Sequence, residues 1–266
     1  MRELLNEVTL VARAAGEAIM EVYRGHIEVQ HKDDNSPLTV ADLAAHHVIQ
    51  SNLTKLTPEL PIISEESASL DFSVRSQWRK YWLVDPLDGT REFIKRNDEF
   101  TVNIALIEEG RPVMGVVYAP AMGLLYCGGV GLVAIRQKGT AAPTAIHARP
   151  LNSQDVVVAG SRSYSNARME TFLHKVGEHL SPPKLVSLGS SLKICLVAEG
   201  GADVYPRLGP TSEWDTAAAQ AVLEQAGGSL VDANGSALRY NTKESLLNPD
   251  FFARGLSPHA WQQYSS

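Results

Sequence analysis

The feature that most constrains this chain is the passage Tyr81-Trp82-Leu83-Val84-Asp85-Pro86-Leu87-Asp88-Gly89-Thr90. An apolar, strand-like run ends on two carboxylates three residues apart. Pro86 stiffens the turn between them, because its ring fixes φ and restricts the residue before it. Gly89 lets the chain bend tightly or approach a ligand closely. Two acids held this near one another are costly unless a positive group lies between them. With the Leu87 carbonyl between them the donors are all oxygen, which suits magnesium. Thr90 stands at the start of a short helix, Thr90–Lys95, whose free N–H groups would face a phosphate. The plainer alternative is a turn with solvent-facing acids, since Asp is common in turns. The full run points instead to a divalent metal and hydrolysis of a phosphate ester.

Charge and cysteine use narrow the class. Lys and Arg number 24 against 30 Asp and Glu, a net charge of -6, and no basic run offsets it. That argues against a nucleic-acid polymer as partner. Cys127 and Cys195 are distant from one another in apolar surroundings, which fits buried free thiols in a reducing compartment rather than a disulfide framework. The start Arg2-Glu3-Leu4-Leu5-Asn6-Glu7 is too acidic for a signal peptide, and no apolar run approaches the roughly 20 residues of a membrane span. A cytoplasmic protein is expected, with peripheral association at the inner membrane left open.

Periodicity organises the rest. Leu5, Val8, Val11, Ala12, Ala15, Ile19 and Val22 recur at helical spacing over residues 2–23, and Gly25 ends that helix. A second helix starts near Thr39 as cap, with Leu43, Ala44, His47, Val48 and Leu53 expected on one side. Leu60–Ser64 reads as a strand that delivers Glu65 and Glu66 to a loop, and 67–79 as a polar surface excursion. Strands 80–84, 100–108, 112–118, 124–127 and 131–136 suggest a largely antiparallel sheet with the two helices against it, an α+β part over 1–145. A joint falls near 137–152. The second part, 146–266, alternates strands at 156–159, 185–188, 203–205 and 229–231 with helices at 165–179, 190–199 and 213–226, an α/β pattern.

Four further acids stand out. Glu65 follows a strand end, as Asp85 does, although adjacent acids in a loop are usually solvated. Asp42 lies in the first helical turn, where the helix dipole is a sufficient reason for it. Glu213 and Asp215 open an alanine-rich helix after the loop Arg207-Leu208-Gly209-Pro210-Thr211-Ser212. His46 and His47 are helix neighbours that cannot face one way, so each is taken as a surface or packing residue.

Together these motifs resemble the inositol monophosphatase superfamily: Thr39-x-x-Asp42, Glu65-Glu66, Asp85-Pro86-Leu87-Asp88-Gly89-Thr90 and Trp214-Asp215 stand in the family's order. The passages Asp88–Ile94, Asn97–Ala105, Gly189–Lys193, Gly200–Arg207 and Gly209–Ala218 are most similar to its CysQ-type branch, the bacterial 3'(2'),5'-bisphosphate nucleotidases. Arg91 replaces a frequent lysine. The resemblance implies a layered α-β-α-β-α sandwich. It implies one magnesium at Glu65, Asp85 and the Leu87 carbonyl, another at Asp85, Asp88 and Asp215, and a weaker third at Glu65. It also implies that Asp42 and Thr90, with Glu65 beside them, position and deprotonate the attacking water, and that lithium inhibits.

For the substrate, Gly89 and Thr90 look like the phosphate cradle. Ser161, Arg162, Lys193, Arg207 and Tyr205 are expected to grip a second phosphate and a base, and Glu213 and Asp215 to complete the contacts. A turn with a surface arginine explains Arg162 equally well, and a core role explains Tyr205. A doubly phosphorylated ligand needs more cations than a sugar monophosphate, which favours 3'-phosphoadenosine 5'-phosphate over an inositol phosphate. An inositol-1-monophosphatase or related sugar phosphatase, and a noncatalytic nucleotide- or phosphate-binding protein of the same fold, are the alternatives. Monomer and homodimer are both compatible with the sequence.

Overall fold

The computed structural model describes residues 1–25, 29–31, 37–67, 70–161 and 167–265. In chain order the elements are α1 (Arg2–Arg24), β1 (Val29–His31), β2 (Pro37–Thr39), α2 (Val40–Leu56), β3 (Ile62–Ser64), α3 (Phe72–Arg75), β4 (Lys80–Asp88) and α4 (Thr90–Ile94). Strands β5 (Thr101–Glu108), β6 (Arg111–Ala119), β7 (Leu124–Gly129), β8 (Leu132–Lys138) and β9 (Thr144–Ala145) follow. Next come β10 (Val157–Ser161), α5 (Ala167–His179), β11 (Lys184–Leu188), α6 (Leu192–Ala198) and β12 (Val204–Arg207). A one-turn 3-10 helix (Glu213–Asp215) precedes α7 (Ala217–Gln225), β13 (Ser229–Asp232), β14 (Phe251–Arg254) and a last 3-10 turn, Trp261–Tyr264.

Strand alternation explains the layering. Trp82 and Val84 of β4 join Val102, Ile104 and Leu106 of β5 in a core shared with Leu5, Val8, Ala12, Ala15 and Ile19 of α1 and Ala45, Ile49 and Leu53 of α2. Tyr81 and Leu83, on the opposite face, pack with Ala105 and Ile107 against α6 and α7. Those two helices also bury Val157, Ala159, Tyr205, Leu230 and Phe251 of a second sheet. That sheet's far face, with Val158, Val204, Val231 and Phe252, is covered by Phe172 and Val176 of α5 and by Trp261 and Tyr264. The order is therefore helices, sheet, helices, sheet, helix: the α-β-α-β-α sandwich that the resemblance implied.

The first sheet has seven strands in the order β3-β4-β5-β6-β7-β8-β9, antiparallel except for the parallel β3–β4 pair. The second has five, β11-β10-β12-β14-β13. Its β11-β10-β12 side is parallel, but β14 inserts antiparallel between β12 and β13. The sequence reading stops at residue 231 and misses β14, so the α/β alternation holds for only part of this sheet.

Two other expectations are corrected. Helix α2 buries Ala41, Asp42, Ala45, His46, Ile49 and Leu53, whereas Leu43 is exposed. Apolarity chose the wrong face because the inward face carries polar groups that find partners. The excursion 67–79 is not all surface: Arg75 of α3 is buried.

Helix α7 lies unusually close to the first sheet. A Cβ on Gly115 of β6 would sit 2.0 Å from the backbone oxygen of Ala218. Only hydrogen fits there, and the alanine-rich start of α7 is the matching surface.

Candidate active site

The site begins with an irregularity at the end of β4. Asp85 pairs with Asn103 and Asp88 with Thr101, so three residue steps on β4 face two on β5. In a regular strand, residues three apart point to opposite faces; the extra residue brings both carboxylates to one side. Leu87 N–H donates to Asp85 Oδ1 at 3.0 Å, which fixes the first acid against its own turn. Gly89 then takes φ +93, a left-handed conformation that a side chain would strain, and caps α4.

Asp88 is held from the second half of the chain as well as from the first. Its Oδ2 accepts Ser191 N–H at 2.6 Å, Asn103 Nδ2 at 3.3 Å and Thr101 Oγ1 at 3.4 Å. Parallel pairing of β3 with β4 sets Glu65 beside Asp85, and Glu65 N–H donates to Val84 O at 3.2 Å. Asp215 comes from the far side, in a 3-10 turn that breaks from α7 at Thr216, where one continuous helix was expected. Ser212 N–H donates to Asp215 Oδ2 at 2.9 Å, a capping box.

Asp85, Asp88 and Asp215 each offer a carboxylate oxygen, and these oxygens lie within 4.8 Å of one another. Burial, followed by Glu65, Asp88 and Asp215, pushes the Asp85 carboxyl well above its usual range. Burial and then Asp88 and Glu65 do the same to Asp215. Asp88 is pushed up to about 6 by burial, against the opposing pull of Lys193 and the Ser191 N–H. Protein groups alone leave this cluster short of positive charge. An oxygen-only cluster whose acids resist ionisation together is what a hard divalent cation fits.

Beside the cluster, Thr90 Oγ1 donates to Asp42 Oδ1 at 3.3 Å and lies 3.4 Å from Leu87 O. The other Asp42 oxygen, Oδ2, accepts Thr39 N–H at 2.7 Å and Thr39 Oγ1 at 2.6 Å. The helix dipole is sufficient reason for an acid at Asp42, and the resemblance pairs it with Thr90; in the structure it is a cap whose second oxygen reaches Thr90. One turn further along α2, His46 Nδ1 lies 2.9 Å from Ser64 Oγ, immediately before Glu65. His46 was read as surface or packing, and it is buried with this partner.

A cleft of about 270 Å³ opens over these groups. Glu65, Asp85, Leu87, Asp88, Gly89, Thr90 and Asp215 line one part of it, and Ser161, Lys193, Tyr205 and Arg207 another. A smaller cavity of about 110 Å³ shares Ser161, Tyr205, Arg207 and Pro210 with it and adds Met169, Pro206 and Leu208. Lys193 is buried: Nζ donates to Ser190 O at 2.5 Å and stands 5.4 Å from the Tyr205 ring centroid. Burial lowers its ammonium to about 8, opposed by Asp88. Arg207 donates to Pro210 O at 2.7 Å. Arg162 lies outside the described residues.

Glu213 is the exception among the expected substrate contacts. It is absent from the cleft lining and buried on the opposite side of its turn, where Oε2 accepts Asn241 N–H at 2.7 Å. In a tight turn, Glu213 and Asp215 cannot point the same way. The sequence reading also passed over Glu92 and Arg91 in the cleft lining and Glu99, whose Oε2 accepts Gly189 N–H at 2.8 Å. Their presence within the quoted passages was the only signal.

A sequence profile described as the Inositol monophosphatase family matches residues 1–264. The 3'(2'),5'-bisphosphate nucleotidase CysQ of Escherichia coli K12 is 49% identical over 251 residues, 93% of this chain and 98% of that protein. The protein of the same name from Haemophilus influenzae is 37% identical over 265 residues, 97% of this chain and 95% of its own length. The crystal structure of CysQ from Bacteroides thetaiotaomicron superposes with a TM-score of 0.82 at 40% identity, covering 93% of this chain and 95% of that one.

Proposed function

The chain belongs to the inositol monophosphatase family, in close homology to its CysQ-type nucleotidases, and on that premise we propose that it is a magnesium-dependent phosphomonoesterase removing the 3'-phosphate of 3'-phosphoadenosine 5'-phosphate. The observation that carries the reading is the convergence of Asp85, Asp88 and Asp215 within 4.8 Å, beside a Thr90–Asp42 pair, in a cleft that Lys193 and Arg207 also line. Glu65, Asp85 and the Leu87 carbonyl would hold one magnesium, Asp85, Asp88 and Asp215 a second, and Glu65 a weaker third. Bound there, magnesium supplies positive charge to the phosphoryl oxygens and acidifies a water.

The chain's own groups do the rest. Asp42 Oδ1 accepts a hydrogen bond from the Thr90 hydroxyl, so Thr90 can take a proton from the attacking water as its own proton passes to the Asp42 carboxylate. Both Asp42 oxygens are anchored, so the pair is preorganised. The backbone at Gly89 and Thr90 cradles the phosphate, and Glu65 borders the water's side. Ser161, Arg162, Lys193 and Arg207 take the second phosphate, while Tyr205 and the apolar walls of the smaller cavity accept the base. Residues 1–145 supply the acidic wall and residues 146–266 complete the metal site and the pocket. The buried free Cys127 and Cys195 fit a reducing, cytoplasmic setting. No helix among the described residues is long and apolar enough to cross a membrane.

Phosphate release from 3'-phosphoadenosine 5'-phosphate and from inositol 1-phosphate, each with magnesium, tests the assignment. The nucleotide should turn over well ahead of the sugar phosphate. Equal or reversed rates would defeat the nucleotide reading, and no turnover of either would point to a binding protein.

A further inference from the structure

Asp215 sits in a turn of three residues, too short to hold its own position. What holds it is a strap of irregular chain, residues 240–248, on the side away from the cleft. Asn248 Nδ2 donates to Ser212 O at 2.7 Å and also reaches Thr216 Oγ1 at 3.1 Å and Thr211 Oγ1 at 3.2 Å. Asn248 N–H donates to Thr211 O at 2.8 Å, and Glu213 N–H donates to Leu246 O at 2.8 Å. Ser212 and Leu247 form an antiparallel bridge. The strap thus grips the backbone that leads into the turn, at Thr211, Ser212 and Glu213.

Glu213 locks the strap from inside. Its Oε2 accepts Asn241 N–H at 2.7 Å, and its Oε1 lies 3.5 Å from Lys243 Nζ. Asn241 takes φ +56, a left-handed conformation that asparagine tolerates better than most residues. Arg75 clasps the other face of the strap. Its guanidinium donates to Asn241 Oδ1, to Lys243 O at 3.3 Å and to Glu244 O, while Asn241 Nδ2 donates back to Arg75 O. Arg75 belongs to α3, in the segment that follows Glu65. Tyr240 N–H donates to Gly110 O at 3.1 Å, tying the strap to the β5–β6 turn.

We propose that the strap 240–248 is the positioning element of the metal site. Glu213, Asn241 and Asn248 set Asp215 in register with Asp85 and Asp88, and Arg75 carries the same brace to the segment behind Glu65. Glu213 is then a positioning residue and not a substrate contact. This rests on the reading of Asp215 as a metal ligand.

Titration calorimetry of magnesium into substrate-free protein, with a thermal unfolding scan for each variant, separates the possibilities. Asp215→Asn serves as the reference and should lose most of the magnesium binding. Asn248→Ala and Glu213→Ala should each weaken it by about 10-fold or more while remaining folded, the usual scale for residues that orient ligands. Glu213→Gln keeps an acceptor for Asn241 N–H and should return to within about threefold of wild type. If Glu213→Ala does not fold, the half-buried Asn248 decides alone. Wild-type magnesium affinity in Asn248→Ala, even with a lowered melting temperature, would overturn the proposal while leaving the metal reading intact. Unchanged binding in Asp215→Asn, or none in the wild type, would bring down both.

Discussion

Two turns in this protein share a local plan. Thr39-Val40-Ala41-Asp42 at the start of α2 and Ser212-Glu213-Trp214-Asp215 ahead of α7 are both capping boxes, with the acid in the third position reaching back to the cap N–H. In each, one carboxylate oxygen is bound to its own backbone. The surroundings then separate them. Asp42 receives two donors from Thr39 and a third from Thr90, whereas Asp215 faces Asp85, Asp88 and Glu65, and its proton is held well beyond the usual range. A single backbone motif thus sets one acid behind Thr90 and another in the cleft lining, and the neighbours decide whether the acid takes up a proton or a cation.

The largest expected effect is on the Asp215 side. Asp215→Asn should cut turnover by roughly 10⁴-fold, and magnesium uptake with it, because a ligand charge is lost. Asp42→Asn should lower kcat by about 10²–10³-fold with magnesium affinity unchanged, as for the loss of a proton acceptor. Equal losses of magnesium in both variants would erase the distinction between the two turns. Thr90→Val should cost about 10²-fold in kcat, and Thr90→Ser should recover most of it, since only the hydroxyl is needed.

A smaller effect concerns the metal-free protein. Asp88 titrates near 6 when folded, against an ordinary value of 3.8, so the folded state holds this proton more tightly than the unfolded chain does. Stability is therefore highest below about 4 for this group and falls as pH rises through about 6. Asp85 and Asp215, shifted the same way, add to the loss. With chelator present, the melting temperature should be lower at pH 7 than at pH 5, and added magnesium should reverse the order. A chelated protein that is more stable at pH 7 would contradict the crowded-acid picture. The smallest effect belongs to the cap of α2: Thr39→Ala should cost about 1 kcal/mol in thermal unfolding.

Contiguity explains what could be read in the sequence. Asp85, Leu87, Asp88, Gly89 and Thr90 belong to one turn, so their chemistry is visible in one stretch of chain. The two-part division was legible for the same reason, since periods of two and three to four report which faces are apolar, while the layered sandwich followed from the family resemblance. The α2 face was misread because Asp42 and His46 point inward, and apolarity cannot reveal polar groups that find partners such as Thr90 and Ser64. Glu213 was misplaced because direction within a one-turn helix depends on Asn241, 28 residues on. Distant pairing also hid β14, whose place between β12 and β13 is set by its partners rather than by its own four residues.

The close contact at Gly115 has a consequence for how mutations in this protein would be scored. Ala218, whose backbone oxygen leaves no room for a methyl group there, lies three residues after Asp215. An alanine at position 115 would lift the start of α7 from the sheet and carry the third acid away from the other two. In a survey of every substitution, ranked by phosphate release, position 115 should cluster with the acids of the cleft, although its side chain is a hydrogen atom on the far side of a helix.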